Sequence, residues 1–244
     1  MEKLRVEAVD YFYDIKVLEN ISFSAKEGDF ISILGPSGCG KSTLLNILAG
    51  LLPSDGGRIF VNEEELKGIS PLVVYMPQED LLMPWRTIID NACLSLELKG
   101  MNPSQAREEA GKYFAEFGLE GYEYKYPHQL SGGMRQRAAF LRTVMSTAEV
   151  LLLDEPFAAL DALTRSKMQD WLADLRIRLG HTIILVTHDI DEAVYLSDCI
   201  YVLSEKPARI ELTIDIETPP DERNWEWLLT TRDIKQKVHK ALEE

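Results

Sequence analysis

Hydrophobic positions along the chain follow two patterns. The first is a set of short, mostly apolar runs at Phe30 to Leu34, Val150 to Leu153, Thr182 to Thr187 and Cys199 to Leu203. Such runs, bounded by polar or glycine-rich segments, predict buried strands. Arg58 to Val61 and Leu72 to Met76 predict further strands in the opening third. The second pattern is helical spacing, which predicts helices over Thr43 to Ala49, 162–179 and 190–197, and a tail helix over roughly 221–242. From about Ile88 to Met145 the spacing is helical throughout, with Pro103-Ser104 opening one helix and Ser131-Gly132-Gly133-Met134 another. Strands alternating with helices predict a mostly parallel α/β sheet. The all-helical middle predicts a lobe inserted into it.

Composition bounds the chemistry more than the fold. A chain of 244 residues, 45% hydrophobic and 27% charged, can bury a sizeable core as one large domain or two lobes. Its 26 Lys and Arg against 40 Asp and Glu leave a net charge of −14, which disfavours sequence-independent nucleic-acid binding. No apolar run approaches the ~20 residues that span a bilayer. The opening MEKLRVEAVDYFYD lacks the charged-then-apolar pattern of a signal peptide. Cys39, Cys93 and Cys199 are too few and too scattered for a disulfide framework or a zinc site, which fits a reducing cytoplasm.

Three segments carry chemistry. Gly35-Pro36-Ser37-Gly38-Cys39-Gly40-Lys41-Ser42 fits G-x-x-x-x-G-K-[ST] between a predicted strand and a predicted helix. Small residues let successive backbone N–H groups turn toward one anion, and the helix N-terminus adds its dipole. Lys41 is placed to reach β and γ phosphates, Ser42 to hold Mg²⁺, and Cys39 to act as a small spacer. A bulky thiol reagent at Cys39 is therefore expected to block turnover. Val150 to Leu153 runs into Asp154-Glu155, an apolar strand ending in two acids. Asp154 would bind Mg²⁺ through water, and Glu155 could orient an attacking water or accept its proton. Leu130-Ser131-Gly132-Gly133-Met134-Arg135-Gln136 is a second glycine-rich turn opening a helix, hence a second anion site that a single-nucleotide fold does not need.

Taken in order, these segments resemble the ATP-binding subunits of ABC transporters over nearly the whole chain. GPSGCGKST is similar to their Walker A, VLLLDE to Walker B and LSGGMRQR to the signature motif. Gln78 in MPQED matches the Q-loop glutamine, Ala159-Leu160-Asp161 the D-loop, and His188 in VTHDIDEA the switch histidine. The resemblance implies a P-loop NTPase, RecA-like α/β core with an antiparallel β subdomain and an inserted α-helical subdomain. It implies one ATPase domain over 1–244, with 1–78 and 146–244 as the nucleotide-binding lobe and 79–145 as the helical lobe.

The resemblance also implies ATP and Mg²⁺ as ligands and a homodimer closed on ATP. Gly35 to Thr43 would cradle the phosphates, while Ser131, Gly132 and Gly133 of one copy clasp the γ-phosphate held by the other. Asp161 would touch the partner's Walker A. Glu155 would act as general base, His188 would contact the γ-phosphate, and Gln78 would sense Mg²⁺ and the attacking water. Ser42, Gln78 and Asp154 form the implied metal set. The adenine would stack on Phe12, flanked by Tyr11 and Tyr13, any one of which a shift of one residue would substitute. The apolar Leu81-Leu82-Met83-Pro84-Trp85 implies a docking region over about 79–90 for integral membrane permease subunits, served in turn by a solute-binding protein.

LLMPW and HDIDEA look most like the importers of nitrate, sulfonate, taurine and related small compounds, with ATPases for pyrimidine precursors of thiamine nearby. The implied location is the cytoplasmic face of the membrane, as a peripheral subunit. The chain leaves no room for the C-terminal regulatory β domain of sugar-importer ATPases. A soluble ABC-type ATPase of DNA repair or translation is the alternative, but the tandem domains or coiled-coil insertions such proteins often need are missing. A P-loop kinase or GTPase has no use for LSGG, and no N-K-x-D motif is visible.

Overall fold

In the computed structural model, which describes residues 1–243 (177–179 by backbone alone), the chain forms two sheets and nine α-helices among the described residues. The strands are β1 (Glu2–Phe12), β2 (Lys16–Lys26), β3 (Phe30–Leu34), β4 (Gly56–Val61), β5 (Glu64–Glu65), β6 (Val73–Met76), β7 (Val150–Asp154), β8 (Thr182–Val186), β9 (Cys199–Leu203) and β10 (Ile210–Asp215). The helices are α1 (Lys41–Leu48), α2 (Ile88–Ala92), α3 (Leu94–Leu98), α4 (Pro103–Gly111), α5 (Gly132–Val144), α6 (Ala162–Leu179), α7 (Ile190–Leu196), α8 (Trp225–Thr230) and α9 (Arg232–Glu243).

The main sheet has the order β10-β9-β3-β8-β7-β6. Its last five strands are parallel, and β10 closes the edge antiparallel to β9. Strands β3, β7 and β8 are buried at every position because both of their faces are covered. Leu151, Leu153, Ile183 and Leu185 point into a core shared with α2, α5 and α6. Val150, Leu152, Ile184 and Val186 alternate onto the other face, against α1 and the second sheet. A third cluster packs α7, α8 and α9 on β9. The second sheet, β2-β1-β4-β5, is antiparallel.

Two expected elements differ. The tail helix is broken at Thr231, which caps α8 and hands the chain to α9. Trp225 stacks on Tyr195 with ring centroids 4.8 Å apart, so this tryptophan packs back on the fold. The helical middle is likewise a set of short pieces, α2 to α5, interrupted by turns over 112–126.

Candidate functional site

Parallel strands present their C-terminal ends on one side, and in open α/β sheets that side carries the ligand crevice. Here the order β3-β8-β7-β6 places four loops in a row. β3 leads into Gly35 to Gly40, β8 into Thr187-His188, β7 ends in Asp154-Glu155, and β6 leads into Pro77-Gln78. The sheet therefore brings together residues up to 153 positions apart in sequence.

The glycine-rich loop wraps the N-terminus of α1. Gly40 is its N-cap at φ 130°, a conformation that L side chains rarely adopt. A Cβ at Gly40 would also lie 2.9 Å from Val17 Cγ1. Lys41 is buried, and its Nζ donates to the carbonyls of Gly35 at 2.7 Å and Pro36 at 2.9 Å. Beside it a cavity of about 340 Å³ is lined by Ser37, Lys41, Ser42, Gln78 and Glu155, with Tyr13 and Lys206 also in its wall.

Glu155 is the centre of a small cluster. Gln78 Nε2 donates to its Oε2 at 3.2 Å, and His188 Nδ1 lies 3.4 Å from the same oxygen. The backbone of Glu155 sits at φ 48°, an uncommon conformation for a bulky residue. Its N–H is held by Val186 O at 2.9 Å. Such strain, held in place by its surroundings, is concentrated at functional sites. Asp154 is buried; burial pushes its carboxyl up, while hydrogen bonds from Ser42 and Tyr75 pull it down. Tyr75 Oη donates to Asp154 Oδ2 at 3.2 Å.

A second group of predicted residues lies outside this cavity. Ser131 caps α5, its hydroxyl accepting from Met134 N at 3.3 Å, and Gly132 and Gly133 follow as the first helical residues. Asp161 caps α6 by accepting from Thr164 N at 3.1 Å. The two turns touch, since a Cβ on Gly133 would lie 3.3 Å from Ala159 O. None of Ser131, Gly132, Gly133 and Asp161 lines the Lys41 cavity of the same chain.

Arg135 and Arg142 of α5 hold the 80–82 segment, through Asp80 Oδ2 at 2.9 Å and the carbonyls of Leu81 at 2.7 Å and Asp80 at 2.9 Å. Buried Asn91 ties down 83–87 through Met83 N at 2.8 Å and three carbonyls. On this fixed backbone Leu82 enters the core, while Leu81 and Trp85 stand out in solvent, Trp85 at 74% exposure.

Phe12 ends β1 half-exposed, with Lys16 Nζ 5.4 Å over its ring, and its neighbour Tyr13, also exposed, lines the phosphate-loop cavity. Tyr11 is buried and meets Tyr13 edge-on at 5.0 Å. Register shifts at Val9/Tyr11 and Tyr11/Phe12 break the alternation where these aromatics stand. Cys39 is 2% exposed, and burial raises the pKa of its thiol. Bulky reagents therefore reach it only through local opening. In the native protein Cys39 should label more than about tenfold slower than a free small thiol, read by peptide mass spectrometry. Rapid stoichiometric labelling would show that the loop opens freely.

Sequence reasoning missed Tyr75, Lys206, Arg165 and Glu192. Tyr75 and Lys206 lie outside any motif and reach the site only through strand order and the loop after β9. Glu192 lies within the HDIDEA segment, but only packing reveals its surroundings.

Comparison with known proteins agrees with this geometry. Residues 18–158 match the family described as ABC transporter. An uncharacterized ABC transporter ATP-binding protein of Methanocaldococcus jannaschii is 42% identical, covering 98% of this chain and 94% of its own length. The formylaminopyrimidine import ATP-binding protein of Halalkalibacterium halodurans is 42% identical over 91% of this chain and 87% of its own. The aliphatic sulfonates import ATP-binding protein of Bacillus cereus is 41% identical over 94% and 89%. Among solved structures, the dimeric post-hydrolysis cassette MJ0796 bound to ADP and Pi superposes with a TM-score of 0.81 at 29% identity, covering 88% of this chain and all of that one.

Proposed function

This chain belongs to the ABC transporter family, and from that premise we propose that it is the ATP-hydrolysing subunit of an importer for a small organic solute. The observation that carries the reading is the convergence of Gln78, Glu155 and His188 on one carboxylate oxygen beside the phosphate loop. The relatives named for formylaminopyrimidine and aliphatic sulfonates support a solute of that size and kind.

In this reading 1–78 and 146–244 form the nucleotide-binding lobe, and 79–145 the helical lobe. The amides of Gly35 to Thr43 (Gly35, Ser37, Gly38, Cys39, Gly40, Lys41, Ser42 and Thr43, with Pro36 shaping the turn) cradle the ATP phosphates. Lys41 exchanges its two carbonyl acceptors for phosphate oxygens. Beside Phe12, Tyr13 is the aromatic residue that lines the cavity and offers a ring as adenine platform. Ser42, Asp154 and Gln78 suit Mg²⁺, because all three offer hard oxygen ligands and Asp154 is a buried carboxylate that a cation would stabilise. Bound there, Mg²⁺ would neutralise charge on the phosphates. Phosphate oxygens and water would supply the other ligands that Mg²⁺ ordinarily takes.

Glu155 takes the proton of the attacking water, and the bond between the γ-phosphorus and the bridging oxygen breaks to give ADP and phosphate. His188 holds the γ-phosphate. Ser131, Gly132, Gly133 and Asp161, absent from their own chain's cavity, act on the nucleotide of a second copy. Closure thereby needs both chains.

Coupling follows from the helical lobe. Arg135 and Arg142 link the signature helix to the segment after Gln78, so a shift of α5 moves the loop carrying Leu81 and Trp85. Those exposed apolar side chains suit an integral membrane partner, and aromatic residues are enriched in interface hot spots. Among the described residues no helix is long and apolar enough to cross a membrane. Docked through this loop, the chain would work as a peripheral subunit on the cytoplasmic face, with a solute-binding protein acting on the far side.

The testing experiment is co-purification from membranes. The chain should recover an integral membrane protein, and Trp85→Glu should lower that recovery by at least about tenfold, as loss of a hot-spot aromatic does. Recovery of no membrane protein, with hydrolysis stimulated by nucleic acid, would favour a soluble ATPase instead.

A further inference from the structure

A second, much smaller cavity of about 20 Å³ shares Glu155 and His188 with the hydrolytic site and is otherwise walled chiefly by Phe157, Arg165, Thr187 and Glu192. That is room for about one water. Glu192 is 6% exposed, on the first turn of α7. An acid at this helix position ordinarily reaches back to the backbone of the cap. Here Oε2 instead accepts the hydroxyl of Thr187, with the Gln169 side chain of α6 close to the carboxylate. The remaining oxygen, Glu192 Oε1, is buried without a protein partner. So is Arg165 Nε from α6. A buried acceptor and a buried donor, both on residues that wall one water-sized cavity, are groups that one water could bridge.

The other nitrogens of Arg165 are engaged. Nη2 donates to Leu160 O at 3.3 Å, and Nη1 pairs with Asp189 Oδ2 at 3.5 Å. Thr187 Oγ1, besides donating to Glu192, accepts from Asp189 N at 3.0 Å. The turn carrying His188 is therefore fixed on both sides by a hydroxyl whose own orientation depends on Glu192. The His188 side chain is 66% exposed and meets Glu155 at 3.4 Å, so its aim is set by that turn.

We propose that Glu192 is a positioning residue for hydrolysis: its carboxylate, bridged through one water to Arg165, holds the Thr187–Asp189 turn and hence the His188 ring, and couples that turn to Leu160 of the D-loop. The proposal rests on the reading of Glu155 and His188 as the hydrolytic pair. It adds a link between the D-loop, which would touch the second copy, and the histidine on the γ-phosphate.

The charged groups facing Glu192 are Arg165 from α6, Asp189 at its own cap, and Glu155 and His188 in the wall of the shared cavity. Burial, helped by Asp189, pushes the Glu192 carboxyl up to about 7, while Thr187, Gln169 and Arg165 pull it back. Above neutrality the ionised carboxylate makes charge-assisted bonds to its donors. Below it, those bonds weaken. The hydrolysis rate should therefore rise with pH through about 7.

The test is steady-state Mg-ATP hydrolysis by the full chain between roughly pH 5.5 and 9, with nucleotide affinity measured separately. Glu192→Gln should lower kcat by about 5- to 20-fold, keep KM within about twofold and lose the limb near neutrality. Thr187→Val should reproduce this, Thr187→Ser should retain most of the rate, and the double variant should be no worse than either single one. A residue that merely packs would lower thermal stability and leave the pH limb in place. Wild-type kcat with an intact limb in Glu192→Gln overturns the proposal, as does a limb that survives a fall in kcat. Should Glu192→Gln not fold, an unchanged rate and limb in Thr187→Val overturn it equally. Full activity in Glu155→Gln would instead refute the underlying hydrolytic reading, whatever Glu192 does.

Discussion

Glu155→Gln should lower ATP turnover by at least about a hundredfold and leave ATP binding in place. The expectation rests on how little else the change disturbs. Glutamine keeps the size of the side chain and the same backbone demand at φ 48°. Its amide oxygen can still accept from Gln78 Nε2, which now lies 3.2 Å from Oε2. The N–H bond to Val186 O, which pins the strained residue, is a backbone contact and stays. What disappears is the one group of the cluster able to take a proton from water as a carboxylate. General-base catalysis supplies roughly 10²- to 10⁴-fold, so its loss dominates any small shift in geometry. With phosphates still held by Lys41 and the loop amides, the variant should accumulate as an ATP-bound dimer, visible as a doubled mass by light scattering. Phosphate release near the wild-type rate would show that another group is the base.

The fold was legible wherever local pattern and burial coincide. Phe30 to Leu34, Val150 to Asp154 and Thr182 to Val186 are mostly apolar because both sheet faces are covered, and they read as buried strands from sequence alone. Motif residues were legible for a related reason. Phosphate binding by backbone amides demands small residues in one short stretch, so Gly35 to Ser42 carries its chemistry locally.

What was missed depends on contacts between distant elements. The helical spacing over 88–145 gave no sign that 112–126 would be turns, because these residues pack through scattered aromatics such as Phe114 and Phe117. Thr231 breaks the tail, although the apolar spacing continues past it. Tyr13 joins the cavity wall beside Phe12 where β1 ends irregularly, which sequence spacing does not show. Glu192 and Arg165 were hidden altogether. Each looks like a solvated charge on a helix, and only the packing of α6 against α7 shows two buried polar atoms without partners.

The second large effect concerns dimer closure. Ser131→Arg should abolish the ATP-bound dimer while leaving nucleotide affinity of the single chain within about twofold, since Ser131 lies outside the Lys41 cavity. Ser131 is exposed at the start of α5, with Gly132 behind it open enough that an added Cβ would meet only Arg135 Nη2, at 3.9 Å. That openness leaves the first amides of the helix free to approach an anion from outside. An arginine there fills the approach with a long side chain and removes the cap bond to Met134 N. The cap alone is worth about 1 kcal/mol, so Ser131→Ala serves as the control that loses the cap without adding bulk. In a Glu155→Gln background, Ser131→Ala should still dimerise with ATP and Ser131→Arg should not. The steric and stability effects are then separated, because both variants lose the same hydrogen bond and only one blocks the surface. A dimer formed by the Ser131→Arg, Glu155→Gln chain would mean that the second glycine-rich turn does not face the partner's nucleotide. The close approach of Gly133 to Ala159 would then be its whole purpose.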